Sequence, residues 1–156
     1  MSKVEVKVWV DGSFSMIDNH PVYGGGAVAY LGDSTEPIIF KSAGEDTNWA
    51  RMRNVAGELL AVMGIIEQLY KFKNVIERVV IFYDYEGIEK WVTGAWQAKK
   101  ICTQAYKQYV VERKDELNIS FVHVKAHSGN TNNEKADATA KEAVKEYARH
   151  LQSTDM

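Results

Sequence analysis

The sequence contains one cysteine, Cys102, so no internal disulfide can form and a reducing compartment is expected. No apolar run approaches the roughly 18–20 residues of a membrane span. Met1-Ser2-Lys3 runs straight into a strand pattern and leaves no room for a secretory leader. Charge of one sign is not in excess either: 19 Lys and Arg against 21 Asp and Glu give a net charge of −2. That excludes a polybasic binder acting through bulk charge, but not a local basic patch. Repeats, linkers and low-complexity tracts are absent. A soluble, cytoplasmic, monomeric protein with no membrane contact and no obligate protein partner is expected. With 46% hydrophobic and 26% charged residues the chain can bury a core. Its 156 residues suit one domain, expected over 1–150, with 151–156 as a frayed tail.

The most informative stretch is Val6-Lys7-Val8-Trp9-Val10-Asp11-Gly12-Ser13. Valines alternating with Lys7 and Trp9 make a strand, and Asp11-Gly12-Ser13 reads as a turn that ends it. A loop with Asp18, Asn19 and Pro21 should follow, then a second strand through Tyr23–Leu31 entered by Gly24-Gly25-Gly26. Those glycines lack the Gly-Lys-Ser/Thr ending and following helix of a phosphate loop, so they mark a bulge or a close backbone approach. A third strand is expected from Pro37 to Ala43, and Gly44 to Arg53 reads as irregular.

From Asn54 the period becomes helical, with Val55, Leu59, Val62, Met63, Ile66, Leu69 and Tyr70 on one face. Glu58 has apolar Val62 and Ile65 at i+4 and i+7, so it points toward the core side. A glutamate there is costly unless paired or metal-bound; position alone equally allows one favoured by the helix dipole. Glu77 to Asp84 is a buried strand ending on an aspartate. A helical segment from Tyr85 stops near Gly94, and another helix spans about Ile101 to Glu116. Cys102 there reads as a packed side chain rather than a nucleophile. Asn118 to Lys125 is a fifth strand. A polar loop then leads to a helix from about Asn133 to Arg149, with Thr131 and Glu134 spaced as a capping box. Asn133 and Asp137 share a face at its start.

The order β-β-β-α-β-α-α-β-α contains a right-handed crossover that sets strand four parallel to strand one. Asp11 and Asp84 then lie at matching ends of neighbouring strands, where ligands of such sheets gather. Glu58 and Asp137 can reach the same crevice. Four clustered carboxylates repel one another unless cations intervene, and all-oxygen donors favour Mg²⁺ or Mn²⁺ over zinc. Two such ions about 4 Å apart support phosphodiester hydrolysis.

Val8-Trp9-Val10-Asp11-Gly12-Ser13, Asn54-Val55-Ala56-Gly57-Glu58-Leu59, Tyr83-Asp84-Tyr85-Glu86-Gly87-Ile88, and His123-Val124-Lys125-Ala126-His127-Ser128-Gly129 with Asn133-Glu134-Lys135-Ala136-Asp137 resemble, in order and spacing, the four motifs of type 1 ribonuclease H. The details resemble bacterial members related to viroplasmin-fused enzymes, but without the extra N-terminal domain. The resemblance implies an α/β fold of the ribonuclease H-like type. It has a five-stranded mixed sheet, three strands antiparallel plus two parallel in order 3-2-1-4-5, with helices on both faces. It implies endonucleolytic hydrolysis of the RNA strand of RNA/DNA hybrids, leaving 5′-phosphate and 3′-hydroxyl ends. Two Mg²⁺ ions, with Mn²⁺ as a substitute, would be held by Asp11, Glu58, Asp84 and Asp137. His127 matches the histidine that assists proton transfer or product release, and Asn133 a contact to RNA near the scissile phosphate. Gly12, Ser13 and Asn54 match minor-groove positions, where 2′-hydroxyls distinguish RNA from DNA. His20 and His123 have no match and read as core or surface residues.

The chain departs from many relatives at Arg53, where a threonine is usual, and in a short Trp91–Lys100 region in place of a long basic protrusion. Arg53 could take over a DNA-strand phosphate, and Trp91 and Trp96 could form a DNA-facing platform, with core packing the alternative, an even one for Trp91 and a weaker one for Trp96. The alternative of another class is a non-catalytic hybrid-binding module of the same fold; retention of all four carboxylates favours the enzyme.

Overall fold

The computed structural model describes residues 2–125 and 130–154. A five-stranded sheet in the order β3-β2-β1-β4-β5 forms its centre. The strands are β1 (Val4–Ile17), β2 (His20–Leu31), β3 (Ile38–Gly44), β4 (Ile76–Tyr83) and β5 (Ile119–His123). β2 pairs antiparallel with β1 and β3, whereas β4 is parallel to both β1 and β5, as the crossover requires. The expected strand order and mixed pairing are therefore present. Among the described residues no helix is long and apolar enough to cross a membrane.

β1 does not stop at Asp11. It pairs with β2 without interruption from Val6↔Leu31 to Ile17↔His20, and the turn comes at Asp18 and Asn19, with φ of 47° and 68°. Two consecutive positive-φ residues match the twist of a two-residue hairpin, and Asp and Asn tolerate that conformation best after glycine. Gly12 and Ser13 are thus ladder residues. What ends near Asp11 is the pairing with β4, whose last partner on β1 is Trp9.

The helices are α1 (Thr47–Ala50), α2 (Asn54–Tyr70), α3 (Gly87–Thr93), α4 (Ile101–Leu117) and α5 (Thr131–Thr154). α1 lies in the stretch expected to be irregular and is capped by Asp46, whose Oδ1 accepts from the Asn48 N–H at 3.0 Å. α3 ends at Gly94, in the left-handed conformation that glycine takes without a Cβ penalty. α5 starts two residues earlier than its periodicity indicated, because Asn130 is the cap: its Oδ1 accepts from the N–H groups of Asn132 and Asn133. It also continues beyond Arg149, through Gln152 and Ser153 to Thr154, where a frayed tail was expected; no glycine or proline interrupts it.

The main core lies between the sheet and α2 to α4, built from Val6, Val8, Val10, Leu59, Ile65 and Ile81 among others. α5 covers the other face over β1 to β3, its inward residues being Ala136, Ala140, Ala143 and Val144. Trp9 joins that side, stacked on Phe82 with ring centroids 4.4 Å apart. Cys102 is buried, and burial raises its pKa, in keeping with a packed side chain.

Candidate active site

Two helices approach the β1–β2 pair from opposite faces at positions without side chains. Residues opposite each other in an antiparallel ladder share a face, so Gly12 and Gly25 face α2, whereas Gly24 and Gly26 face α5. A Cβ on Gly12 would overlap the Asn54 carbonyl and stand 2.5 Å from the Glu58 nitrogen. One on Gly26 would stand 2.5 Å from the Ala140 nitrogen and 2.8 Å from the Ala136 oxygen. The glycine run is therefore a close backbone approach, and the unbroken register shows no bulge there. Its consequence is positional: α2 is drawn onto β1 and β2, and α5 onto β2, bringing Glu58 and Asp137 toward Asp11.

Glu58 is only 3% exposed. Its Oε2 accepts from the backbone N–H of Asp84 at 3.1 Å and of Tyr85 at 3.4 Å, tying α2 to the end of β4. Burial pushes its pKa up to about 8, repulsion from Asp11 adds to this, and the two N–H donors oppose it. The Asp11 carboxyl is pushed up to about 7, first by burial; the Gly12 N–H at 2.8 Å opposes that shift, and Asp137 and Asp84 raise it further. Asp137 is held by Lys141, whose Nζ lies 2.9 Å from its Oδ2. The four carboxylates thus come from four elements and sense one another electrostatically. Among the described residues, however, no three Asp, Glu, His or Cys side chains are drawn together as a ready-made chelate. Asp11, Glu58 and Asp137 each rest instead on a donor of their own, the Gly12 N–H, the Asp84 and Tyr85 N–H groups and the Lys141 ammonium respectively.

The remaining candidates fall around this centre. Asn54 opens α2 and Arg53 precedes it, with its guanidinium 5.7 Å from the Phe14 ring centroid. Arg53 has φ 55° and ψ −128°, a region that favours glycine. Ser13 continues β1 beyond Asp11, and Asn133 lies one turn before Asp137 on α5. Trp96 is half-buried, in one aromatic cluster with Tyr85 and Trp91 and with Lys90 Nζ 5.2 Å from its ring centroid. It therefore packs against the core to a greater extent than a free platform would. His127 lies outside the described residues. His20 is a surface residue, paired with Glu45 at 2.6 Å.

His123 is the residue that pattern reading left out. It ends β5, its ring rests against Tyr83, and its Nε2 is 2.7 Å from the Asp84 carbonyl oxygen. No local signal marks it, because the contact crosses 39 residues of sequence.

A mixed 3-2-1-4-5 sheet with helices on both faces defines an α/β protein of the ribonuclease H-like class. The sequence model of the RNase H family matches residues 3–145, and the chain belongs to that family. It is 31% identical over 150 residues to a ribonuclease H of Verminephrobacter eiseniae, covering 90% of each chain. It is 28% identical over 152 residues to a ribonuclease H of Rhizobium meliloti, covering 92% of this chain and 93% of the relative. Among solved structures, RNase H1 from the halophilic archaeon Halobacterium salinarum superposes with a TM-score of 0.71 at 22% identity, covering 91% of this chain and 98% of that one. LC11-RNase H1 in complex with an RNA/DNA hybrid gives 0.72 at 20% identity with the same coverage. At those identities the likeness is one of fold.

Proposed function

We infer that this protein is a metal-dependent endoribonuclease that hydrolyses the RNA strand of RNA/DNA hybrids, with residues 1–150 as a single catalytic domain and the monomer as the working unit. The observation that carries this is the set Asp11, Glu58, Asp84 and Asp137, brought from four elements to one end of the sheet, with burial and mutual repulsion raising the pKa of two of them. Family membership supports the reaction class. The donors are all carboxylate oxygens, which fit Mg²⁺ or Mn²⁺, and a cation would relieve the repulsion that the separate local donors now only moderate. Asp11, Glu58, Asp84 and Asp137 would hold two such ions, which when bound activate water and stabilise the leaving oxygen. In the reaction a water oxygen bonds to phosphorus and the 3′ oxygen departs, leaving 5′-phosphate and 3′-hydroxyl ends.

The chain's own residues orient the hybrid. Gly12 and Ser13 follow Asp11 on β1, Asn54 packs against Gly12, and all three would meet the minor groove, where the 2′-hydroxyl identifies RNA. Asn133 would contact RNA near the scissile phosphate, and His127 would assist proton transfer or product release. Arg53 and the exposed part of Trp96 would contact the DNA strand. With few cations at these positions, binding should be moderate and weaken with salt.

The test is cleavage of an end-labelled hybrid with and without Mg²⁺, beside single-stranded RNA, double-stranded RNA and duplex DNA. Metal-dependent cutting of RNA only in the hybrid is expected, abolished in folded Asp84→Asn protein. Hybrid binding with no cutting in Mg²⁺, or in Mn²⁺ supplied in its place, would refute the enzyme and leave a binding module.

A further inference from the structure

Asp84 stands just past the end of β4, and side chains grip its backbone on both sides. Its own N–H donates to Glu58 Oε2 at 3.1 Å. The next peptide unit, formed by the Asp84 carbonyl and the Tyr85 nitrogen, is held at both ends. The carbonyl oxygen meets His123 Nε2 at 2.7 Å, and the Tyr85 N–H donates to the same Glu58 oxygen at 3.4 Å. A carbonyl oxygen can only accept, so Nε2 carries the hydrogen. The Val124 N–H donates to the Tyr83 carbonyl at 2.8 Å, stitching the two strand ends together around this contact. Tyr83 is held in turn by its hydroxyl, which donates to Glu89 Oε1 at 2.6 Å, and its ring lies 5.3 Å from that of His123.

We propose that His123 is a positioning residue: through the Asp84–Tyr85 peptide it fixes both the Asp84 side chain and the Glu58 carboxylate for metal binding. A donor on the carbonyl polarises the peptide and strengthens the hydrogen bond that its N–H donates at the other end, so the two contacts support each other. Without it the strand end would keep its ladder bonds but lose the constraint on the peptide that orients Asp84. Partners behind metal ligands typically matter by 10–100-fold in affinity or rate. The role in metal binding rests on the functional reading above; the clamp itself does not.

The experiment compares His123→Ala with His123→Gln, whose amide nitrogen can replace Nε2 as donor. Amide hydrogen exchange of Asp84 and Tyr85 in metal-free protein reads the clamp directly. Mg²⁺ calorimetry and hybrid cleavage then read its effect. In His123→Ala both amides should exchange faster, Mg²⁺ should bind more weakly and kcat should fall by about tenfold or more. KM for hybrid should stay unchanged, and His123→Gln should recover most of each loss. Unchanged exchange in His123→Ala would overturn the proposal, as would a glutamine variant as impaired as the alanine one. A raised KM at unchanged kcat would overturn it too, by making His123 a substrate contact. Exchange needs neither substrate nor metal, so failure of the wild type to cut hybrids would refute the functional reading separately.

Discussion

Replacing Glu58 with glutamine should stabilise the metal-free protein while abolishing its chemistry. The glutamine oxygen can still accept from Asp84 and Tyr85, and the shape is kept, but the buried charge is removed. In the wild type the Glu58 carboxyl titrates near 8 rather than its ordinary 4.5. The folded protein therefore holds a proton that the unfolded chain has released, and stability falls as pH rises from about 4.5 to about 8. At about 1.4 kcal/mol per pH unit this interval sets an upper bound of about 5 kcal/mol. Asp11, which titrates near 7, shares part of the repulsion, so the two contributions do not add. About 2–3 kcal/mol is a realistic gain for Glu58→Gln above pH 8, or about 5–10 °C in Tm for a chain of this size. Thermal denaturation with a chelator, from pH 4 to 9, reads this directly. Near pH 4 the two proteins should melt together; above pH 8 the variant should melt higher. Mg²⁺ should close the gap by stabilising the wild type. A constant difference in Tm across the range, or a variant that melts lower at pH 9, would refute the burial argument.

The same reasoning covers three further positions. Gly25→Ala would drive a methyl group into the Gly57 carbonyl, so overpacking of about 1–3 kcal/mol or more should lower Tm by several degrees, with loss of cleavage as α2 is pushed off β1. Arg53→Gly should raise Tm by about 2–4 °C, because the left-handed backbone at φ 55° costs a non-glycine residue about 1 kcal/mol or more, while a higher KM for hybrid would report the lost cation. Lys141→Ala frees Asp137 from a competing ammonium at 2.9 Å, so half-maximal cleavage should need less Mg²⁺ in a metal titration; an unchanged midpoint would show that the pair is incidental.

Most of the architecture could be read locally. Alternating valines mark β1, the 3.6-residue apolar period marks α2, and the uninterrupted run before Asp84 marks β4 as a buried parallel strand. Each is a short-range pattern set by which side chains must leave water. The four carboxylates were legible as a set for the same reason, since each stands at a fixed offset from a recognisable element. The sequence by itself could not decide whether Gly12 turned the chain or let a helix approach it. That depends on α2, 42 residues away at Asn54, whose carbonyl occupies the space a side chain would take. Nor could it show that Trp96 joins Tyr85 and Trp91 rather than standing free, or that His123 grips the Asp84 carbonyl. Local sequence determines which elements form and which face each one buries; contacts between distant elements depend on the packing that closes the sheet, and only the tertiary structure decides them.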